Sequence, residues 1–167
     1  MRNQKLLIAS QNYTEIESYL IEKNIHKFML VCSNAFSMLN IHSYFDELTE
    51  RTGIDFVTFN EFQPNPLYES VVKGVEIFRK EKCQALIAVG GGSAIDVAKC
   101  IKMYANLNPT VNYLEQTIVP NEIEFLAVPT TAGTGSEATR YAVIYYKGEK
   151  QSISDYSCIP SVVLFDV

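Results

Sequence analysis

Three consecutive glycines follow directly on an apolar run in the middle of this chain. The run covers residues 85–89, Gly90, Gly91 and Gly92 come next, and a stretch with helical spacing begins at Ser93. This order predicts a buried strand, a tight turn and the start of a helix. Such a turn lets backbone N–H groups approach a phosphate at the positive end of a helix dipole. The segment therefore predicts a strand–helix unit and indicates an anionic ligand.

The glycines are also compatible with a tight turn that binds nothing. The segment lacks the third glycine of a G-x-G-x-x-G pattern and the Gly-Lys-Ser/Thr ending of a P-loop. In this alternative, Ser93 only caps the helix and Asp96 only places a favourable charge in its first turn. The residues of this loop by themselves leave both alternatives open.

A second loop rich in hydroxyl groups follows another apolar run, residues 123–128. Residues 129–137 read PTTAGTGSE and contain Thr130, Thr131, Thr134 and Ser136. Each hydroxyl can donate and accept a hydrogen bond, which suits ribose and phosphate oxygens. A solvated polar loop without a ligand is the alternative.

Apolar runs and helical spacings alternate along the chain. We predict strands at 27–32, 54–59, 85–89, 123–128 and 162–165, helices at 35–50, 67–81 and 93–105, a loop at 106–121, and a hairpin of 142–146 and 151–154. Repeated strand–helix units favour an α/β fold with an open, mostly parallel sheet and helices on both faces. Both loops then lie at the carboxyl edge of the sheet, where ligands bind in such folds.

Composition narrows the class of protein. The 167 residues are 47% apolar and 20% charged, which predicts one globular domain. The net charge is −5 and the basic residues are scattered, so a nucleic-acid partner is not expected. No segment approaches the roughly 20 apolar residues of a membrane span. The four cysteines, Cys32, Cys83, Cys100 and Cys158, form no Cys-x-x-Cys pair, so we expect reduced thiols and a cytoplasmic protein.

The exact order of the two loops carries a family resemblance. GGGSAIDVAK at 90–99, followed by PTTAGTGSEAT at 129–139, resembles the iron-containing (group III) alcohol dehydrogenases, relatives of glycerol dehydrogenase and dehydroquinate synthase. The resemblance extends from Asn65-Pro66 through Lys150 to the segment 160–166, with Val167 where proline is usual. It implies that residues 1–167 form the family's Rossmann-like nucleotide-binding domain.

The resemblance implies that the cofactor is NAD or NADP and assigns its contacts by position. The matching positions are Gly91, Gly92 and Ser93 for the pyrophosphate, Asp96 near the nicotinamide ribose, Thr130, Thr131 and Thr134 on the adenine and ribose side, Ser136 near the nicotinamide, Lys150 on a ribose hydroxyl, and Asn65. For Lys150 the alternative is a solvated hairpin lysine. For Asn65 it is a turn former between two prolines.

One departure from the family pattern affects cofactor choice. After its second strand the family often has Thr-Asp, whose carboxylate accepts from the adenosine ribose and repels the extra phosphate of NADP. This chain has Cys32-Ser33. The neutral Ser33 is a candidate cofactor contact, and we predict that NADP(H) is tolerated.

The family's metal ligands, one Asp and three His, are placed by the resemblance in a helical C-terminal domain. This chain has only His26 and His42, and neither belongs to a ligand cluster. We therefore expect no catalytic or metal residue in this chain, and Fe²⁺ or Zn²⁺ only together with that further domain. The chain alone is expected to be the inactive, cofactor-binding half of an enzyme.

The implied reaction is hydride transfer between the nicotinamide and a small alcohol or aldehyde. A dehydroquinate synthase-like or glycerol dehydrogenase-like enzyme is one alternative, although the order of the second motif favours the dehydrogenases. A non-catalytic nucleotide-binding module is another. Family members often pair through edge strands of this domain, so the resemblance also allows a homodimer.

Overall fold

A six-stranded parallel sheet forms the centre of the molecule. The computed structural model describes residues 3–167. Its strands are β1 (Lys5–Ile8), β2 (Lys27–Cys32), β3 (Asp55–Phe59), β4 (Ala85–Gly90), β5 (Glu124–Pro129), β6 (Tyr141–Tyr146), β7 (Glu149–Ser154) and β8 (Val162–Phe165). Its α-helices are α1 (Thr14–Glu22), α2 (Ile41–Thr52), α3 (Tyr68–Lys80) and α4 (Gly92–Tyr104). Short 3₁₀ turns cover Asn34–Met38, Tyr113–Glu115, Ser136–Ala138 and Tyr156–Cys158.

The strand order in the sheet is β1-β8-β5-β4-β2-β3, and every neighbouring pair is parallel. β4 lies in the middle, with Ala88 opposite Val31 of β2 on one side and Ala127 of β5 on the other. The prediction of an open, mostly parallel α/β sheet is confirmed.

Helices cover both faces of the sheet, because alternate residues of each central strand point to opposite sides. Leu30 and Ile87 belong to the cluster that packs against α1 and α2. Val31 and Ala88 belong to the cluster that packs against α3 and α4. Both faces are apolar, which explains why these strands appear in the sequence as continuous apolar runs.

The hairpin of β6 and β7 is a separate antiparallel sheet on the side of α3 and α4. Ala142 and Ile144 of β6 are fully buried in the same cluster as α4. The backbone N–H of Tyr145 donates to the carbonyl of Pro66 at 2.9 Å. The hairpin is therefore attached both to α4 and to the Asn65-Pro66 turn.

The prediction of a single helix over 35–50 is wrong. The chain forms a 3₁₀ turn at Asn34–Met38, and α2 begins only at Ile41. Leu39 between them has extended backbone angles, φ −91° and ψ 148°. Phe36 and Leu39 still pack against the core on the side of α2, so their apolar spacing reflects burial without a continuous helix.

Two elements near the start of the chain, β1 and α1, were not predicted. β1 is an edge strand with only one neighbour, and its Leu6 and Ile8 side chains are largely exposed. Residues 6–9 nevertheless form a short apolar run, which was an available signal for this strand. None of the helices formed by residues 3–167 is long and apolar enough to cross a membrane.

Candidate functional site

The carboxyl ends of three neighbouring strands bring the two predicted loops together. Ser33 follows β2, Gly91 follows β4 and Thr130 follows β5. The N–H of Thr130 donates to the carbonyl of Gly90 at 2.9 Å, so the second loop leaves the sheet directly beside the glycine turn. The hydroxyl oxygen of Ser33 lies 3.7 Å from where a Cβ on Gly90 would stand. These residues share one edge of the sheet, as predicted.

The first two residues of the glycine turn are closely packed. A Cβ on Gly90 would come within 2.8 Å of the Cβ of Ala94. A Cβ on Gly91 would come within 3.0 Å of the Thr131 Oγ1 and 3.3 Å of its Cγ2. The second loop therefore lies against the glycine turn, and a side chain at residue 91 would have to displace that of Thr131.

The N-terminus of α4 is available to a ligand. Gly91 is the N-cap residue, no side-chain hydrogen bond caps the helix, and the first intrahelical bond runs from the Ile95 N–H to the Gly91 carbonyl at 3.2 Å. Ser93 lies inside the helix, so the alternative in which it caps the helix is wrong. The first N–H groups of a helix have no intrahelical acceptor and form an anion site. The structure thus leaves this terminus free of a protein cap.

The threonines of the second loop border this terminus. Thr130, Thr131 and Thr134 are all exposed. The Thr134 side chain lies 3.5 Å from where a Cβ on Gly92 would stand. Their hydroxyls are therefore accessible beside the glycine turn.

Asp96 and Ser136 bind each other. The Ser136 hydroxyl donates to Asp96 Oδ1 at 2.6 Å, and the Val143 N–H donates to Asp96 Oδ2 at 3.1 Å. Burial raises the pKa of Asp96, and these two hydrogen bonds partly offset that effect. Ser136 is buried. Both carboxylate oxygens of Asp96 thus have protein partners, and the predicted contacts of Asp96 and Ser136 with a cofactor remain predictions.

Lys99 belongs to this site, although no role was predicted for it from the sequence. Its side chain is fully buried, and its Nζ donates to the carbonyls of Ser136 and Tyr141, the latter at 2.8 Å. Burial lowers the pKa of Lys99. The available signal was its place in a helix whose neighbouring residues, Ala98 and Cys100, are apolar on both sides. The residues four positions away on the same helix face, Ile95 and Met103, are apolar as well, and this pattern favours a buried position for Lys99.

The remaining predicted contacts, Lys150 and Asn65, lie on adjoining segments. Lys150 is exposed on β7 and faces Tyr145 across the hairpin. Asn65 is exposed with a left-handed φ of 57°, and Pro66, which follows it, accepts the Tyr145 hydrogen bond. The fold therefore connects these two positions to each other. Their contact with a cofactor remains a prediction.

Within residues 3–167, no group of three or more His, Cys, Asp or Glu side chains is placed to hold a metal. His26 is exposed, and the His42 Nδ1 lies 3.2 Å from an Asp46 carboxylate oxygen on the next turn of α2. The described residues therefore do not fit the metal of the resembled family.

A cavity of about 590 Å³ lies at the opposite, amino edge of the sheet. Asn121 and Ile123, just before β5, and Ser161, just before β8, are among its lining residues. It contains none of the predicted cofactor contacts. Cavity size therefore does not locate the candidate site, which is an open edge bordered by loops.

Comparison with known proteins decides the family. A family model described as iron-containing alcohol dehydrogenase matches residues 3–167. The chain belongs to the iron-containing alcohol dehydrogenase family. This membership confirms the resemblance based on the two loops, and it favours the dehydrogenase alternative over the dehydroquinate synthase-like one.

Several members of the iron-containing alcohol dehydrogenase family are similar to this chain. The NAD-dependent methanol dehydrogenase of Bacillus methanolicus is 38% identical over 122 residues, which cover 68% of this chain and 31% of that protein. The NADPH-dependent butanol dehydrogenase of Clostridium saccharobutylicum is 36% identical over 124 residues, which cover 70% of this chain and 32% of that protein. The sulfoacetaldehyde reductase of Bifidobacterium kashiwanohense, solved in complex with NAD⁺, matches with a TM-score of 0.84 and 26% identity.

The structural match covers 99% of this chain and 45% of the reductase. The chain therefore spans less than half the length of that solved relative, and its matches cover about a third of the two curated ones.

Proposed function

We propose that this chain is the cofactor-binding domain of an NAD(P)-dependent alcohol dehydrogenase. The reaction would be hydride transfer between a nicotinamide cofactor and a small alcohol or aldehyde. The observation that carries the proposal is the uncapped N-terminus of α4, which lies against a loop of exposed threonines at the carboxyl edge of a parallel sheet. Family membership supplies the reaction class.

Within this proposal, the chain binds and orients the cofactor. The N–H groups of Gly92 and Ser93 bind the pyrophosphate, and the missing side chain of Gly91 lets it approach. The hydroxyls of Thr131 and Thr134 bind phosphate and ribose oxygens beside it. The nicotinamide, when bound, accepts or donates the hydride. Because the described residues do not fit a metal, no step is assigned to one.

Cofactor choice rests on Ser33. It lies beside Gly90 and carries no charge, so nothing at this position repels a phosphate on the adenosine ribose. The similar proteins include one named NAD-dependent and one named NADPH-dependent. We therefore include NADP(H) as a cofactor that the chain tolerates.

The test is a titration of the chain with NADH and with NADPH, followed by nicotinamide fluorescence. Binding of either cofactor is expected. The Gly91→Ala variant should bind about tenfold more weakly, because a Cβ occupies the approach to the helix N-terminus. Absence of binding by the wild-type chain would refute the proposal.

A double variant separates two causes of such a loss. The new Cβ of Gly91→Ala also presses on Thr131, 3.0 Å away. Adding Thr131→Ala relieves this contact but leaves the approach blocked. The double variant should therefore bind at least as weakly as Gly91→Ala, since it also lacks the Thr131 hydroxyl. Thr131→Ala alone should bind more tightly than the double variant, because its approach to residue 91 stays open. Recovery of affinity in the double variant would contradict a phosphate site at residue 91.

A further inference from the structure

Two lysines of α4, one turn apart, are buried. Lys99 is fully buried and Lys102 is 4% exposed. Removing an ammonium group from water is costly unless hydrogen bonds compensate for it. The acceptors around each lysine therefore show which segment it holds in place.

Lys99 holds the segment that joins the second loop to β6. Its Nζ donates to the carbonyl of Ser136, to the Thr139 hydroxyl oxygen at 3.2 Å and to the Tyr141 carbonyl at 2.8 Å. All three acceptors lie within residues 136–141, and all are neutral oxygens. No other described residue accepts a hydrogen bond from this ammonium group.

Asp96, one turn earlier on α4, holds the same segment. Its carboxylate accepts hydrogen bonds from the Ser136 hydroxyl and from the Val143 N–H. Ser136 is thus held through its hydroxyl by Asp96 and through its carbonyl by Lys99. The far end of the second loop is attached to the helix whose N-terminus forms the anion site.

Few other hydrogen bonds order the loop. The Ser136 N–H donates to the Thr134 hydroxyl oxygen at 3.4 Å, and beyond Ser136 the Gln4 side chain donates to the Glu137 carbonyl at 2.6 Å. The near end of the loop is fixed by the hydrogen bond from Thr130 to Gly90. Between the anchors, Gly133 and Gly135 have φ angles of 97° and 65°, and the intervening residues are mostly exposed. Without the anchor at Ser136, the threonines would have to be ordered when the cofactor binds, at a cost in affinity.

We propose that Lys99 is a positioning residue for the cofactor, and that its buried ammonium group keeps the threonines of the second loop beside the glycine turn. The inference rests on the proposed cofactor site. Lys99 itself touches no cofactor. Its effect on affinity acts through Ser136 and the loop that ends there.

Lys102 offers a matched control on the same helix. Its Nζ donates to the Asn121 carbonyl at 3.1 Å, the Asn121 Oδ1 at 2.9 Å and the Ile123 carbonyl at 2.7 Å. It is nearly as buried as Lys99 and also donates to neutral oxygens, but it holds the chain before β5, at the opposite edge of the sheet. A general loss of stability would appear in both lysine variants.

The experiment compares Lys99→Met with Lys102→Met by NADH affinity and thermal unfolding. Both variants should unfold at lower temperatures than the wild type. Lys99→Met should bind NADH about tenfold more weakly, and Lys102→Met within about twofold of the wild type. Equal changes in affinity in the two variants, or unchanged affinity in Lys99→Met, would overturn the proposal.

Hydrogen exchange without cofactor tests the same idea independently of the proposed function. Exchange at residues 130–141 should accelerate in Lys99→Met, and exchange near residues 121–123 in Lys102→Met. If the wild type binds no cofactor, the proposed function fails while this measurement still decides whether Lys99 orders the loop. Unchanged exchange at 130–141 would overturn the positioning role.

A milder variant covers the case in which Lys99→Met does not fold. Thr139 is exposed and supplies one of the three acceptors of Lys99. Thr139→Val should accelerate exchange at residues 136–141 and weaken NADH binding by about threefold. Wild-type exchange together with wild-type affinity in this variant would overturn the proposal.

Discussion

The hydroxyl oxygen of Tyr68 accepts a hydrogen bond from the backbone N–H of Tyr113 at 2.8 Å, in a buried position. The bond joins the first residue of α3 to the 3₁₀ turn that follows α4. The ring of Tyr104 stacks on Tyr113 with centroids 4.8 Å apart, but its own hydroxyl has no hydrogen-bond partner among the described residues. The cluster therefore contains one tyrosine hydroxyl with a partner and one without.

Tyr68→Phe should destabilise the fold. The substitution keeps the ring and leaves the Tyr113 N–H buried without an acceptor, which costs about 1–3 kcal/mol. Urea unfolding measured by circular dichroism gives the free energy of unfolding. A value equal to that of the wild type would show that the Tyr113 N–H finds another partner.

Tyr104→Phe should have the opposite effect. Tyr104 is 1% exposed, and burial raises the pKa of its hydroxyl. Removing a buried hydroxyl without a partner should stabilise the fold by up to about 1 kcal/mol, since no hydrogen bond is lost. The same urea experiment measures it, with Tyr68→Phe as the matched control. Comparable destabilisation by both substitutions would contradict this account.

Ser33→Asp should shift the chain towards NADH. With the cofactor bound as proposed, a carboxylate at residue 33 would accept hydrogen bonds from the adenosine ribose and repel a phosphate on it. The affinity for NADPH should fall by about tenfold relative to that for NADH. Ser33→Asn is the control, because it has a similar size without the charge. An equal shift in both variants would mean that size, and not charge, determines the preference.

The thiols should react slowly with Ellman's reagent at pH 8. Burial raises the pKa of Cys32 and of Cys158 to about 11 and that of Cys100 well above its ordinary value. The thiolate is the reactive form, so labelling should accelerate as the pH rises towards 11, by about tenfold per pH unit. All four cysteines are free and should react rapidly in guanidinium chloride.

The four thiols should differ in how fast they are labelled, with Cys83 the fastest. Its pKa is also raised to about 11, chiefly by burial, but it is the one cysteine that is only partly buried. It should therefore be labelled first in the folded chain, and Cys83→Ser should remove that phase. Rapid labelling of more than one thiol at pH 8 would contradict the described burial.

The sequence predicts five of the six strands of the sheet, and the four inner ones, β2, β4, β5 and β8, form apolar runs because both of their faces are buried. The apolar runs at 27–32 and 162–165 match β2 and β8 in extent, and those at 54–59, 85–89 and 123–128 match β3, β4 and β5 to within one residue. The edge strand β1 was not predicted although residues 6–9 form an apolar run as long as that of β8. The run alone does not show that β1 lies at the edge of the sheet with Leu6 and Ile8 exposed, since that depends on its pairing with the distant β8.

The sequence by itself determined the chemistry of the candidate site, because its loops are local motifs that follow directly on strands. The glycines at 90–92 and the threonines at 130–134 could be placed at one edge from their order alone. Only the tertiary structure decided how that edge is held together. The bonds of Asp96 and Lys99 with Ser136 join residues about 40 positions apart. They exist because β5 pairs beside β4 and β6 folds back onto α4, and no local spacing in the sequence encodes such pairing.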